Sequence, residues 1–561
     1  MRFVTNDPAK VAEATGFDSW YRSLPPKLGI DQSRTVLPIL VTGGDIAPVV
    51  VTKEIDRTNL ESIDNPGVRF VFHSPYFSFD ALDRPSDAYA SLPEAVSDVV
   101  GSDAELDPDL AVGLYAELAE RLGTPSVSSG EFQAPMNHYR VPRATVSAQA
   151  THGRDTAAIA AAPYIDAMEA PGRIREWLAK PAGDVLSSLD DLMRRATLDA
   201  VLASTPLNVQ ELTGVPAVLL ADGVWAVYLR EAPEVHVLAR RELPWLGLPE
   251  PAPSDRGSVR RLTDGARLGY EELDLTRRAF AGFGLDGVAA LPASLVLRRW
   301  RESRTSEDAA YYLMGAHITR TGIDAAICLT EQAMASGDYA TELDAYERYR
   351  ATVAAEVAKL PIRVRTYFTH THAGDRTHIP ASATTHRIHP RTSLKIDAGL
   401  EVYDERGYLR AVSDITRSAV GRPEAREFYR LLDRTLTESV IAACRPGRTG
   451  QEVFAAGMNE LERDRSWLVE SGFCPPSDGS LAEIFGRDIG HLLGKQEPAT
   501  VVLQKGCAET LEPGMVAAAE IQWPYRDYCI GVEDVFLVTH DEPINLTRVA
   551  RPSVSWSPGM R

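Results

Sequence analysis

Cysteine is scarce in this chain. Five residues in 561, Cys328, Cys444, Cys474, Cys507 and Cys529, lie far apart and form no C-x-x-C pair. A thiolate zinc site and a disulfide framework are both excluded as organising devices, and free thiols in a reducing cytoplasm are the expectation. No run of eighteen apolar residues occurs, so no membrane-spanning helix is expected. The opening MRFVTNDPAKVAEATGFDSW lacks the charged head and apolar centre of a secretory signal. Surplus positive charge is missing too. With 59 Lys and Arg against 78 Asp and Glu, the formal charge is −19, which argues against a nucleic-acid partner.

The length calls for two or three domains, because 561 residues exceed what one core organises. Residues 1–185 mix β-like runs (TVLPILVTGG, APVVVTKEI, VRFVFHSPYF) with helical stretches such as DPDLAVGLYAELAERLG, the alternation of an α/β layer. The Ala-rich part from Ala144 to Pro181 reads as a long connection or a helical insert. A second unit, 186–296, opens with helix, strand and turn in SSLDDLMRRATLDAVLASTPLNVQELTGV. It continues with the strands AVLLADG, VWAVYLREA and EVHVLARREL. The third unit, 297–561, begins with two amphipathic helices, and a similar pair recurs in AREFYRLLDRTLTESVIAACRPG and TGQEVFAAGMNELERDRSWLVESG. That repeat hints at two related halves.

Residues able to carry chemistry concentrate in the third unit. YFTHTHAGDRTHIPASATTHRIHP, 367–390, holds five of the twelve histidines: His370, His372, His378, His386 and His389. Downstream, Asp397 follows an apolar strand in SLKIDAGLEVYDERGYLRAVSDITRS, and Asp414 sits in a second β-like run. His491 lies among small residues in FGRDIGHLLGKQEPA, and Glu520 ends the apolar strand of LEPGMVAAAEIQWPY. Glu533 and Asp534 interrupt another strand in YCIGVEDVFLVT. Each alone reads as a capped turn histidine or a solvated carboxylate. Together, acids and one imidazole at strand ends form an oxygen-rich set suited to two divalent ions bridged by carboxylates.

The ordered segments IDAG, SDITRS, GHLLG, EPGMVAAAEIQWPY and GVEDVFLVT resemble those of the pita-bread metallopeptidases, the family of methionine aminopeptidase, prolidase, aminopeptidase P and creatinase. The resemblance covers about 297–561 and is closest to Xaa-Pro peptidase-like members. LDAVLASTPLNVQELTG also resembles the domain that precedes the catalytic one in prolidase and creatinase relatives. The implied fold is α+β: a C-terminal pita-bread domain preceded by one or two α/β creatinase-type domains. By the same resemblance Asp397 chelates one metal, Asp414 and Glu533 bridge both, and His491 and Glu520 complete the other site. Mn, Fe, Co and Zn all suit four carboxylates and one imidazole. The implied activity is hydrolysis of an amide bond in a small peptide or peptide-like substrate, with Glu520 as general base. A cytoplasmic homodimer is also implied. Two alternatives stand beside it: a repurposed C–N hydrolase or lyase on a small metabolite, and a non-catalytic binding module on the same fold.

Three departures bear on the substrate side. Asp397 and Asp414 lie seventeen positions apart, longer than is usual, so LEVYDERGYLR is read as an extended hairpin with a solvated tip; Glu401, Asp404 or Glu405 could otherwise intrude on the site. The family's second histidine is missing from the shortened run KQEP, where Gln496 precedes Glu497 and takes the substrate-side place; Gln donates a hydrogen bond but carries no proton. Gly531 stands where prolidase-type chains often have Arg. In the histidine stretch, His378 has about the offset of the family's substrate-facing histidine. His370, His372, His386 and His389 are expected on strands facing solvent, with His386 or His389 a candidate stand-in for the lost histidine.

Overall fold

A computed structural model describes residues 1–16, 37–44, 46–60, 67–74, 87–101, 104–123, 137–180, 184–220, 223–243, 251–255, 257–338, 340–496, 499–526 and 528–548. Three sheet systems follow one another. The first is a five-stranded mixed sheet whose central strand is Ile39–Gly43, packed on helices Leu92–Val100 and Val112–Leu122. The second has seven strands, with Val224–Leu229 and Glu234–Ala239 at its middle.

The boundaries differ from those read along the chain. Strand Asn137–Pro142 pairs antiparallel with Glu234–Ala239, so the second unit begins near residue 137 and not at 186. That pairing spans about a hundred residues, a distance no local pattern reports. The Ala-rich part is an insert of three helices, Arg143–Thr151, Arg154–Ala167 and Pro171–Leu178. Among the described residues of AVLLADG, Ala217–Leu219 form a short helical turn and not a strand, and the run before it is the helix Pro206–Thr213. The boundary at 297 cuts the helix Ser294–Glu302, whose Leu297 and Trp300 pack into the second unit's core. The third unit therefore starts after that helix.

Two antiparallel sheets form the third unit. One joins Arg363–Ala373, Ser393–Tyr403 and Leu409–Val420. The other joins Gly490–Leu492, Val516–Tyr525, Tyr528–Leu537 and Ile544–Asn545. The 28-residue helix Ala309–Ser336 covers the first sheet, followed by Glu342–Val357, which Thr341 and Asp344 start with a capping box. Strand alternation then explains the site. Leu394, Ile396, Ala398 and Leu400 enter the core beneath the helices. The residues between them, Lys395, Asp397 and Gly399, point to the opposite face. In the second sheet Ala519, Ile521 and Trp523 belong to a separate core, and Glu520 and Gln522 take the other face. Both faces of each strand are covered, so every residue of Ser393–Tyr403 and of Val516–Tyr525 is buried. Two polar faces meet between two apolar layers.

Candidate metal centre

Register brings the acids together. Gly399 pairs with Asp414 and Asp397 with Thr416 across the first sheet, and Glu520 pairs with Glu533 across the second. Directly opposed residues of antiparallel strands share a face, so Asp397, Asp414 and Thr416 line one wall, and Glu520 and Glu533 the other. All four carboxylates lie within long strands and not at strand ends as the sequence suggested. The apolar runs there report only one face of each strand; the polar residues beyond each acid continue the ladder.

Asp414, His491 and Glu533 offer donor atoms within 4.8 Å of one another. His491 Nδ1 lies 3.1 Å from the Leu492 carbonyl, which can only accept, so the proton resides on Nδ1. Nε2 then turns its lone pair toward Asp414 Oδ2, 3.6 Å away. Thr416 Oγ1 donates to Glu533 Oε2 at 3.0 Å. Arg417 donates to the Glu533 carbonyl and to the neighbouring carboxylate Asp534, fixing the strand that carries Glu533. Burial opposes the ionisation of Asp534, yet Arg417 and Arg548 hold it well below the usual carboxylate range. Asp414 and Glu533 are 4% and 1% exposed. Two carboxylates this close and this buried cannot both stay ionised without a cation, and two oxygen donors with an imidazole fit a divalent one.

Asp397 and Glu520 have different company. Gln522 Nε2 donates to Asp397 Oδ2 at 3.1 Å and also to Glu520 Oε1. Arg487 Nη2 reaches Glu520 Oε1 at 3.2 Å, and its Nη1 reaches Gln522 Oε1 at 3.2 Å. Lys395 Nζ donates to the same Gln522 oxygen. None of Gln522, Arg487 and Lys395 was singled out from the sequence. Lys395 and Gln522 lie two positions from Asp397 and Glu520, so strand period alone could have placed both on the site face. Asp488 lies beside Arg487; burial raises its carboxyl while Arg487 lowers it.

The histidine stretch divides. His370 and His372 are buried, not solvent-facing, and pair opposite Asp397 and Lys395. Their face is therefore the face of the acids. Burial, with Lys395 beside it, pushes the His372 imidazole well below its usual range, so it stays neutral. His378 is partly buried at the end of the turn Gly374–His378, which packs on the strand carrying Glu533; Cys529 N donates to Thr377 Oγ1 at 2.6 Å. His386 and His389 are exposed, which leaves no support for either as the stand-in. Gln496 accepts from Arg301 Nη2 at 3.0 Å, a contact across to the helix Ser294–Glu302, and Glu497 lies outside the described residues.

The tip of the extended hairpin, Glu405 and Arg406, is exposed as expected, but the residues flanking it dock on the second unit. Tyr408 and Leu409 are buried, and Leu409 N donates to Gln210 Oε1 of the second unit at 3.2 Å. Arg410 donates to the carbonyls of Ala150 and His152 and pairs with Asp404 at 2.9 Å. Glu401 accepts from Tyr403, and Glu405 faces His152. These acids serve the hairpin and its docking.

Residues 314–540 match the model of metallopeptidase family M24. The X-prolyl aminopeptidase of Caenorhabditis elegans, described as a cytosolic enzyme with a di-nuclear active site, is similar in fold. It shares 11% identity over 98% of this chain and 86% of its own, with a TM-score of 0.58. The N-terminal domain of the FACT complex subunit SPT16 from Cicer arietinum shares 12% identity over 65% of this chain and 95% of its own, with a TM-score of 0.51. None of the curated proteins compared matches the sequence.

Proposed function

We propose, on the premise that residues 314–540 match the model of metallopeptidase family M24, that this protein is a metal-dependent hydrolase. It cleaves an amide bond in a small peptide or peptide-like substrate of the Xaa-Pro kind. The observation that carries this reading is the convergence of Asp414, His491 and Glu533 within 4.8 Å on facing strands. Asp414, His491 and Glu533 would hold a divalent ion there, which would supply Lewis acidity toward a carbonyl and toward water near neutral pH. The chain's own part is to position and to move a proton. Glu520, oriented by Arg487 and Gln522, accepts a proton from water and returns it to the leaving nitrogen. The Nδ1 hydrogen bond of His491 keeps Nε2 on the side of Asp414, where it would hold such an ion. His378 contacts the substrate from the adjoining turn. Covered on both sides, the strands exclude bulk water, which strengthens each of these contacts.

The test is metal-reconstituted protein incubated with Xaa-Pro dipeptides and tripeptides, scored for newly freed amine. Turnover that a chelator removes and added metal restores is the expected result. Bound metal with no peptide cleaved would sink the peptidase reading.

A further inference from the structure

Four carboxylates and an imidazole are enough for two divalent ions, yet this chain brings two cations of its own in among them, Arg487 on Glu520 and Lys395 on Gln522. Lys395 is fully buried, and its ammonium is spent on the Gln522 oxygen. Arg487 shares that oxygen and forms an ion pair with Glu520 at 3.2 Å. Gln522 in turn donates to both Asp397 and Glu520, so one amide ties the two acids to the two cations. Gly531 pairs opposite Gln522 and makes this possible. A Cβ on Gly531 would meet Lys395 Cδ at 3.2 Å and Thr416 Cγ2 at 2.6 Å, so the lysine stem runs through the space a side chain would fill.

Charge decides the rest. Asp397, Asp414, Glu520 and Glu533 bring four negative charges; Lys395 and Arg487 return two. The remainder matches one divalent ion. A second such ion would leave the buried centre two charges positive, a state that burial disfavours strongly unless anions enter with it. Asp534 stands outside this count, since Arg417 and Arg548 already pair with it.

Resting on the metal-hydrolase reading above, we propose that Lys395, Arg487 and Gln522 occupy the second ion's role. The centre then takes one divalent ion per chain, at Asp414, His491 and Glu533, while Arg487 holds Glu520 and the Gln522 amide, itself held by Lys395, holds Asp397. Glu520 thereby acts as a proton carrier set by Arg487 and not as a ligand.

The full chain, stripped by a chelator and reloaded by dialysis against Mn²⁺, is analysed for bound manganese and titrated calorimetrically with Mn²⁺. One ion per chain is expected. Asp414→Asn should weaken Mn²⁺ binding by at least about tenfold, whereas Asp397→Asn should leave both stoichiometry and affinity unchanged, each variant checked for folding by its thermal melt. Two ions per chain in the parent protein overturn the proposal, and so does loss of the ion in a folded Asp397→Asn. Binding of no Mn²⁺ at all overturns both this proposal and the hydrolase reading. One ion bound with no amide cleaved overturns the hydrolase reading alone.

Discussion

Glu520 is the residue on which two guanidinium and amide donors converge, and its proton traffic is the chemical step assigned to it. Glu520→Gln keeps the shape and removes the base, so turnover should fall by about 10²-fold or more at unchanged metal content. Unchanged turnover at full occupancy would remove the assignment. His378→Ala should lower turnover, by about tenfold or more, with metal content again intact; loss of bound metal in that variant would move His378 among the ligands. The acids were legible in the sequence because each interrupts an apolar run, where a carboxylate has no packing reason to be. Lys395, Gln522, His370 and His372 were not. Polar residues two apart on a strand look like a wet face until the partner sheet that covers them is known.

At the scale of elements, the short strand Gly490–Leu492 aims His491, and its first residue sets the geometry. Gly490 has φ +137°, and a Cβ there would lie 2.3 Å from the Ala518 carbonyl of the neighbouring strand. Gly490→Ala should therefore cost about 1–3 kcal/mol or more, read as a lowered unfolding midpoint. The same variant should bind metal more weakly, since relief of the clash shifts His491. A midpoint equal to the parent's would show the strand can yield. Helix starts were readable here, as the Thr341–Asp344 and Thr449–Glu452 capping boxes illustrate. Strand ends were not, because the apolar runs mark only the faces turned to the cores.

Between domains lies a buried charge network. Lys495 Nζ reaches Glu211 at 3.0 Å and Asp308 at 2.7 Å, and Arg304 reaches Glu211 at 3.2 Å. Burial disfavours the Glu211 carboxylate, but Lys495 and Arg304 prevail and bring its pKa down from 4.5 to about 2. The folded state thus binds this proton less tightly than the unfolded chain. Its stabilising contribution is present above pH about 4.5 and is lost as the pH falls toward about 2. Glu211→Gln should cost about 3–5 kcal/mol at pH 7 by stranding two buried cations, and less at acid pH. Denaturant melts at pH 7 and pH 3 measure this; an equal cost at both would exclude Glu211 as the titrating group. Because Lys495 and Gln496 lie next to the His491 segment, the network also ties the second unit to the candidate metal centre.

By itself the sequence determined the family resemblance, the α+β class and the candidate acids. Those signals are local: a carboxylate that breaks an apolar strand, a glycine beside a histidine, a hydroxyl three residues before an acid. Tertiary structure alone decided which strands belong to which sheet, where Asn137–Pro142 pairs and that Tyr408 and Leu409 beside the hairpin tip dock on the second unit. It also decided that Lys395, Arg487 and Gln522 stand among the acids. These depend on partners about ten to several hundred residues away. The free energy that fixes them comes from burial between layers, which no local stretch of chain contains.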